Sequence, residues 1–233
     1  MQNVNLDARL AAAAEMVEGD YIADVGTDHG FLPVFLCEKN SNMRAVASDI
    51  KKAPLERAVK NVAAHSLENR IDTVLTPGLS GLEKYPLSDI VICGMGGLTI
   101  IEILENAPFV KNGVHLILQP MQHVSNLRRY LCENGYEIDK ESLARADGRV
   151  YQIISARYTG ERSDISEIDA ILGEYNIANR SDDPELFSEL CRRNASFLIE
   201  KINGYEKSGK DAENEKMLLE KINSLAGGEN GNS

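Results

Sequence analysis

The chain has 233 residues, 43% of them hydrophobic, with a formal net charge of −11. That length suits one domain plus an appendage, and that apolar content excludes wholesale disorder. No apolar run approaches the ~18 residues that span a bilayer, so no membrane partner is expected. The segment "MQNVNLDARLAAAAEM" lacks the basic and apolar regions of a signal peptide, and the expected location is cytoplasmic. The acidity is uneven. Residues 1–160 carry 20 acidic against 16 basic side chains, and residues 161–233 carry 16 against 9. Bulk acidity argues against a nucleic-acid partner only mildly, because binding needs a local basic patch. Cys37, Cys93, Cys132 and Cys191 form no C-x-x-C pair and have no histidine at metal-ligand spacing, so free buried thiols and no metal are expected.

In chain order, Leu6, Leu10, Ala13, Ala14 and Val17 share one helical face. Strands are then expected at Tyr21–Val25, Arg44–Ser48, Ile71–Leu75, Asp89–Cys93, Val114–Leu118, Glu137–Leu143 and Val150–Arg157. Helical windows fall between them near 31–40, 53–66, 97–106 and 123–133. Such alternation predicts a largely parallel sheet covered by helices on both faces. The "ARADGR" junction makes the last two strands a hairpin. The fold class is therefore α/β, with the strand count of the Rossmann-like, seven-stranded class I methyltransferase sheet. This domain is assigned to residues 1–160. "TGERSDISE" reads as a linker. Asp183 as N-cap with Pro184 behind it starts a helix carrying Leu186, Leu190, Phe197, Leu198, Ile202 and Tyr205. A second stripe, Met217, Leu218, Ile222 and Leu225, completes an antiparallel coiled-coil hairpin over 161–226. Residues 227–233 are expected to be a disordered tail.

The chemistry concentrates at the ends of the strands. In "ADVGTDHGFLP" at 23–33, Gly26 permits a tight turn and Gly30 a close helix approach. The helix that follows then points its amino end at a ligand. Asp49 lies 23 residues past Gly26 at the end of the second strand, where an acid accepts hydrogen bonds from the ribose of an adenosine cofactor. Gly94-Met95-Gly96-Gly97 ends the fourth strand. It offers either close approach of a planar base and donor or simply a steric turn. Gln119-Pro120 ends the fifth strand, to read a base or to cap the strand. Asp28 takes the place where a dinucleotide turn has glycine. A carboxylate is awkward beside a pyrophosphate and reasonable beside a cationic sulfonium. His29 orients Asp28, touches substrate or stabilises the turn; His65, His115 and His123 read as structural or surface. Among basic residues, Arg9, Lys51, Lys52, Arg57, Arg128, Arg129 and Arg149 are candidates for RNA contact, although Arg128-Arg129 ordinarily mark a solvated helix face.

Together, "LDARL" at 6–10, "IADVGTDHGFLP" at 22–33, "ICGMGG" at 92–97 and "LILQP" at 116–120 resemble the bacterial tRNA (adenine-22 N1)-methyltransferase family. The resemblance implies an S-adenosyl-L-methionine-dependent enzyme acting on the D-loop region of tRNA. It implies donor contacts from Asp24, Gly26, Asp28, Asp49 and Gly94; Thr27, Gly30, Ile50, Ser80 and Met95 beside them are expected to belong to the same donor site. The resemblance makes Asp28 the catalytic acid; from their positions at the strand ends, His29 is expected to assist it and Arg9, Gly96, Gly97, Gln119 and Pro120 to contact substrate. Three positions depart from the family pattern. Asp49 replaces the usual Glu, Ser80 the usual Asp or Asn, and Met121 the usual Asn after "LQP". The reaction implied is displacement of the sulfonium methyl by adenine N1, with the two atoms held close and in line. Asp28 either offsets the charge growing on the base or binds the donor's amino-acid end. The hairpin is expected to be a tRNA-contacting arm or, given its acidic balance, a protein-partner or packing element, and the protein a monomer. Other readings stay open. They are another N-methyltransferase, a nicotinamide-dependent oxidoreductase and a non-catalytic RNA-binding protein.

Overall fold

The structure is a computed structural model that describes residues 4–227; residues 228–233 of the expected tail lie outside them. The chain divides into two compact units, Met1–Asp164 and Ile165–Ser233. The first begins with α1 (Ala8–Ala14), capped by Asp7 through Leu10 N–H. It continues as β1 (Tyr21–Val25), α2 (Phe31–Lys39), β2 (Arg44–Asp49), α3 (Lys52–Ala64), β3 (Ile71–Leu75), β4 (Asp89–Met95), α4 (Gly97–Glu105), β5 (His115–Pro120), α5 (Val124–Glu133), β6 (Tyr136–Ala146) and β7 (Arg149–Tyr158). All seven expected strands are present. The sheet order is β3-β2-β1-β4-β5-β7-β6. The first five strands are parallel, and β7 runs antiparallel to both β5 and β6. Asp147 and Gly148, with φ 49° and 69°, close the last hairpin; paired left-handed residues match the twist of a two-residue turn.

The central strands are apolar at nearly every position because both faces of the sheet are covered. Ala23, Val25, Ile90, Ile92, Leu116 and Leu118 pack into one core cluster, and the alternate residues Ile22, Ala45, Ala47, Val91 and Ile117 into the other. Burying each large aliphatic side chain contributes about 1.5–3 kcal/mol. Every buried member of both clusters lies in the first unit, so its core is self-contained.

Two buried polar clusters were not legible beforehand. At the amino ends of the strands, His115 Nδ1 lies 2.8 Å from Asp89 Oδ1, and its Nε2 lies 2.7 Å from Ser155 Oγ. Asp89 also accepts the backbone N–H groups of Glu18 and Gly19 at 3.1 and 2.9 Å, so the cluster ties the α1–β1 connection to the sheet. The second cluster corrects the expectation for Arg128. Far from lying on a solvated face or reaching RNA, Arg128 is 0% exposed. It donates to Glu141 at 2.7 Å and to Gln152 at 2.7 Å. The face of α5 that carries it packs onto β6, and side chains of β6 and β7 supply the matching acceptors.

The second unit holds α6 (Glu167–Leu172), α7 (Glu174–Ala178), α8 (Pro184–Lys207) and α9 (Glu213–Ala226). Asp183 caps α8 through Leu186 N–H at 3.0 Å, with Pro184 at its start. At ~1.5 Å per residue α8 is about 36 Å long. It buries Phe187, Leu190, Leu198 and Ile202, and Lys201–Glu215 and Lys216–Glu206 pair it with α9 at 2.9 and 2.7 Å. The short helices α6 and α7 were not anticipated. The signal was present in Ser166, whose side chain accepts Asp169 N–H, a capping pattern with an acid three residues on.

Candidate active site

The parallel strands reverse order between β1 and β4, and their carboxyl ends open a crevice there. Gly26 leaves β1 with φ 79°. Its N–H and that of Thr27 both donate to Ser48 O, at 2.8 and 3.0 Å, which pins the turn to β2. A Cβ on Gly26 would stand 2.3 Å from Met95 Cε. The turn therefore wants glycine twice, for its left-handed φ and for the space.

A cleft of about 520 Å³ opens beside this turn. Of the residues singled out in the sequence, Gly26, Asp49, Ile50, Ser80 and Met95 line it. Asp49 ends β2 with Oδ1 accepting Lys51 N–H at 2.7 Å. The 76–80 loop forms another wall, held by Thr76 Oγ1 donating to Ser80 O at 2.7 Å. Thr99 and Glu102 of α4 and Asn106, which caps its end, complete the lining. These three escaped the sequence reading because a helix flank carries no motif; only the packing of α4 beside β4 brings them to the crevice.

Asp24 sits beneath the turn, 5% exposed, and accepts Thr27 Oγ1 at 2.5 Å. Burial pushes its carboxyl up to about 6; the Thr27 hydrogen bond opposes that and the Asp49 charge adds to it. Thr27 thus serves Asp24 rather than the cleft.

Asp28 and His29 stand apart from this lining. Asp28, at φ 46°, pairs with Arg57 of α3 and lies 3.7 Å from His29 Nε2. His29 stacks on Phe31 with ring centroids 5.0 Å apart and planes 6° from parallel. Gly30 seats against Ala58, which a Cβ would approach to 3.2 Å.

A third group lies at the ends of β4 and β5. Arg9 Nη1 donates to Gln119 Oε1 at 2.7 Å, and that oxygen also accepts Gly94 N–H at 3.1 Å. The Arg9 guanidinium lies 5.5 Å from the centre of the Tyr151 ring. Gln119 is 0% exposed and Pro120 is buried. Base reading by Gln119 and Pro120 is therefore corrected: the amide is spent on Arg9, Gly94 and Pro120 O, and it holds these groups in place. Gly97 is likewise steric. Its Cβ would stand 2.4 Å from His123 O, and its N–H donates to Gln122 O at 2.8 Å. A base has no route to it, whereas neighbouring Gly96 is half-exposed.

The crevice chemistry, an acid beside a ≈520 Å³ cleft and a side-chain-free turn, fits an adenosyl donor. Comparison with known proteins agrees. The family profile described as "Methyltransferase domain" matches residues 6–154. The tRNA (adenine(22)-N(1))-methyltransferase of Bacillus subtilis (strain 168) is 32% identical over 164 residues, 70% of this chain and 68% of that protein. The structure of M. capricolum TrmK with S-adenosyl-homocysteine superposes with a TM-score of 0.79 at 27% identity, covering 95% of this chain and 99% of that one. Streptococcus pneumoniae Sp1610, solved with S-adenosyl-L-methionine, gives 0.81 at 28% identity, covering 94% and 99%. A sheet of this order, a crevice of this chemistry and relatives that match over most of the chain lead to one assignment: the protein belongs to the tRNA (adenine(22)-N(1))-methyltransferase family of S-adenosylmethionine-dependent enzymes.

Proposed function

We propose that the protein methylates N1 of adenine 22 in tRNA. The observation that carries this reading is the crevice itself, with Asp49, the bare Gly26 turn and the 76–80 loop around one cleft, in a chain of this family. When bound, S-adenosylmethionine supplies an electrophilic methyl group on a cationic sulfur. Asp49 would hold its ribose hydroxyls, the 76–80 loop would flank its adenine ring, and Asp24 under the Gly26 turn would place negative charge near its cationic end. An adenine N1 faces its pairing partner in a helix, so the acceptor base must be presented out of its stack. Methylation makes the ring cationic. Asp28, on the exposed turn that follows Gly26, would offset that charge. His29 and Phe31 offer a flat surface next to it. Much of the rate then comes from holding the two reacting atoms close and in line. Unpaired backbone charge on tRNA would meet the basic side chains of α3, and the α8–α9 hairpin is the proposed second contact.

The decisive measurement is nucleoside mapping of tRNA lacking this modification after incubation with labelled donor. N1-methyladenosine at position 22 is expected. Donor binding without N1-methyladenosine would point to another acceptor and sink the reading.

The raised pKa of Asp24 makes donor binding pH-dependent. A cationic donor favours the ionised carboxylate, which is lost below pH 6. Between pH 7 and pH 5 the donor Kd should weaken about tenfold, and Asp24→Asn should bind more weakly with that dependence removed. The same shift carries a stability consequence of opposite sense. A carboxyl whose pKa rises from 3.8 unfolded to about 6 folded destabilises the donor-free fold as pH climbs through that window. Asp24→Asn should therefore raise the melting temperature at pH 8 while lowering donor affinity. Calorimetric titration and thermal melts at pH 5, 7 and 8 check both halves.

A further inference from the structure

Helix α3 supports the Asp28 turn from one side and presents positive charge on the other. Arg57 donates to Asp28 Oδ1, Asn61 Nδ2 donates to His29 O at 3.0 Å, and Ala58 seats Gly30. The exposed side chains of Lys51, Lys52 and Lys60 lie on the same helix and its N-cap, against the single acid Glu56. In a chain of net charge −11 this is a local basic excess, on the helix that holds the turn carrying the partly exposed His29–Phe31 stack.

The Arg57–Asp28 pair is built to open. The two side chains are 45% and 60% exposed, and ion pairs in such surroundings contribute only ~0–1 kcal/mol. A guanidinium presents a planar fork that matches a phosphate as well as a carboxylate. While Arg57 holds Asp28, the carboxylate's charge is already compensated and Oδ1 is occupied. It cannot offset charge on a methylated adenine until the arginine leaves.

We propose that Arg57 is a backbone-phosphate contact for the tRNA, and that its transfer from Asp28 to a phosphate frees the Asp28 carboxylate as the acceptor base arrives. This inference rests on the tRNA methylation reading above and adds a residue and an order of events to it. Lys51, Lys52 and Lys60 would track the same strand of RNA backbone.

The test uses the full chain, a tRNA transcript and saturating donor, with Arg57→Ala, Arg57→Lys and Arg57→Gln beside the wild type. The alanine variant should raise the KM for tRNA about tenfold, with the loss in kcat/KM carried by KM. The slope of log Kd against log[salt] should fall by about one, as one phosphate contact is lost. Arg57→Lys should keep the wild-type slope, because a point charge still neutralises a phosphate. Calorimetric donor binding checks that each variant is folded, and Arg57→Gln, which keeps the bulk, carries the test if the alanine variant fails that check. An unchanged tRNA Kd and salt slope, whether or not kcat falls, overturns the proposal; a fall in kcat alone makes Arg57 a brace for Asp28. A wild type that leaves tRNA unmethylated overturns the underlying reading instead, which separates the two failures.

Discussion

Replacing Asp49 with alanine should weaken S-adenosylmethionine binding about a hundredfold while leaving the fold intact. Asp49 is the last residue of β2, in register with Leu75 of β3. Its backbone carbonyl accepts Thr76 N–H at 3.0 Å, and its carboxylate accepts Lys51 N–H at 2.7 Å. The first contact fixes the backbone and the second holds the side chain at the cleft wall before any ligand arrives. Hydrogen bonds to a charged acceptor contribute roughly 1.5–3 kcal/mol each, and two ribose hydroxyls sharing one carboxylate therefore place the loss near ~3 kcal/mol, or about a hundredfold in Kd. Asp49→Glu keeps the charge and lengthens the reach by one methylene, and should cost less than about tenfold. Calorimetry on the three proteins decides it. A Kd for Asp49→Ala within threefold of wild type would remove Asp49 from the donor site. Because the side chain is only half-buried, its truncation should leave denaturation midpoints near those of the wild type.

Arg128→Ala should have the largest effect on stability, a loss of about 3–5 kcal/mol. The guanidinium and the Glu141 carboxylate are both essentially sealed from water, at 0% and 1% side-chain exposure. Removing the arginine leaves a buried carboxylate facing the Gln152 amide and a cavity the size of a long side chain. The cost comes mostly from removing one side of a buried ion pair and from the cavity left behind, since a paired buried ion gains little over an apolar replacement. A double variant with Met at 128 and Leu at 141 should consequently recover much of the loss. Equilibrium urea denaturation of the single and double variants tests this. An Arg128→Ala variant within 1 kcal/mol of wild type would show that water reaches the site.

Short apolar runs bounded by turn residues located all seven strands, and the central ones, buried on both faces, are apolar at nearly every position. The ends of strands were less legible: β4 runs on to Met95 and β5 to Pro120, past the point where apolar character stops. The turn at 24–30 and the acid at Asp49 were legible because their chemistry depends on local backbone geometry. Gly26 needs its positive φ, and Asp49 needs only to end its strand. Asp183 shows the same principle, since a cap bonds residues three apart in the chain.

The roles of Arg128, Gln119, Gly97 and Asp28 depended on partners far away in the chain. Arg128 is defined by Glu141 and Gln152, Gln119 by Arg9 some 110 residues distant, and Gly97 by the backbone of Gln122 and His123. Arg57 meets Asp28 across 29 residues because α3 packs on the turn that follows β1. The sequence by itself determined the α/β sheet, the position of the crevice and the acid that ends β2, all products of local periodicity and backbone conformation. Only the tertiary structure decided which polar side chains are spent on one another and which face the cleft. Hydrogen bonds and ion pairs between distant segments follow from how helices pack on the sheet, and that packing is written in no single stretch of the chain.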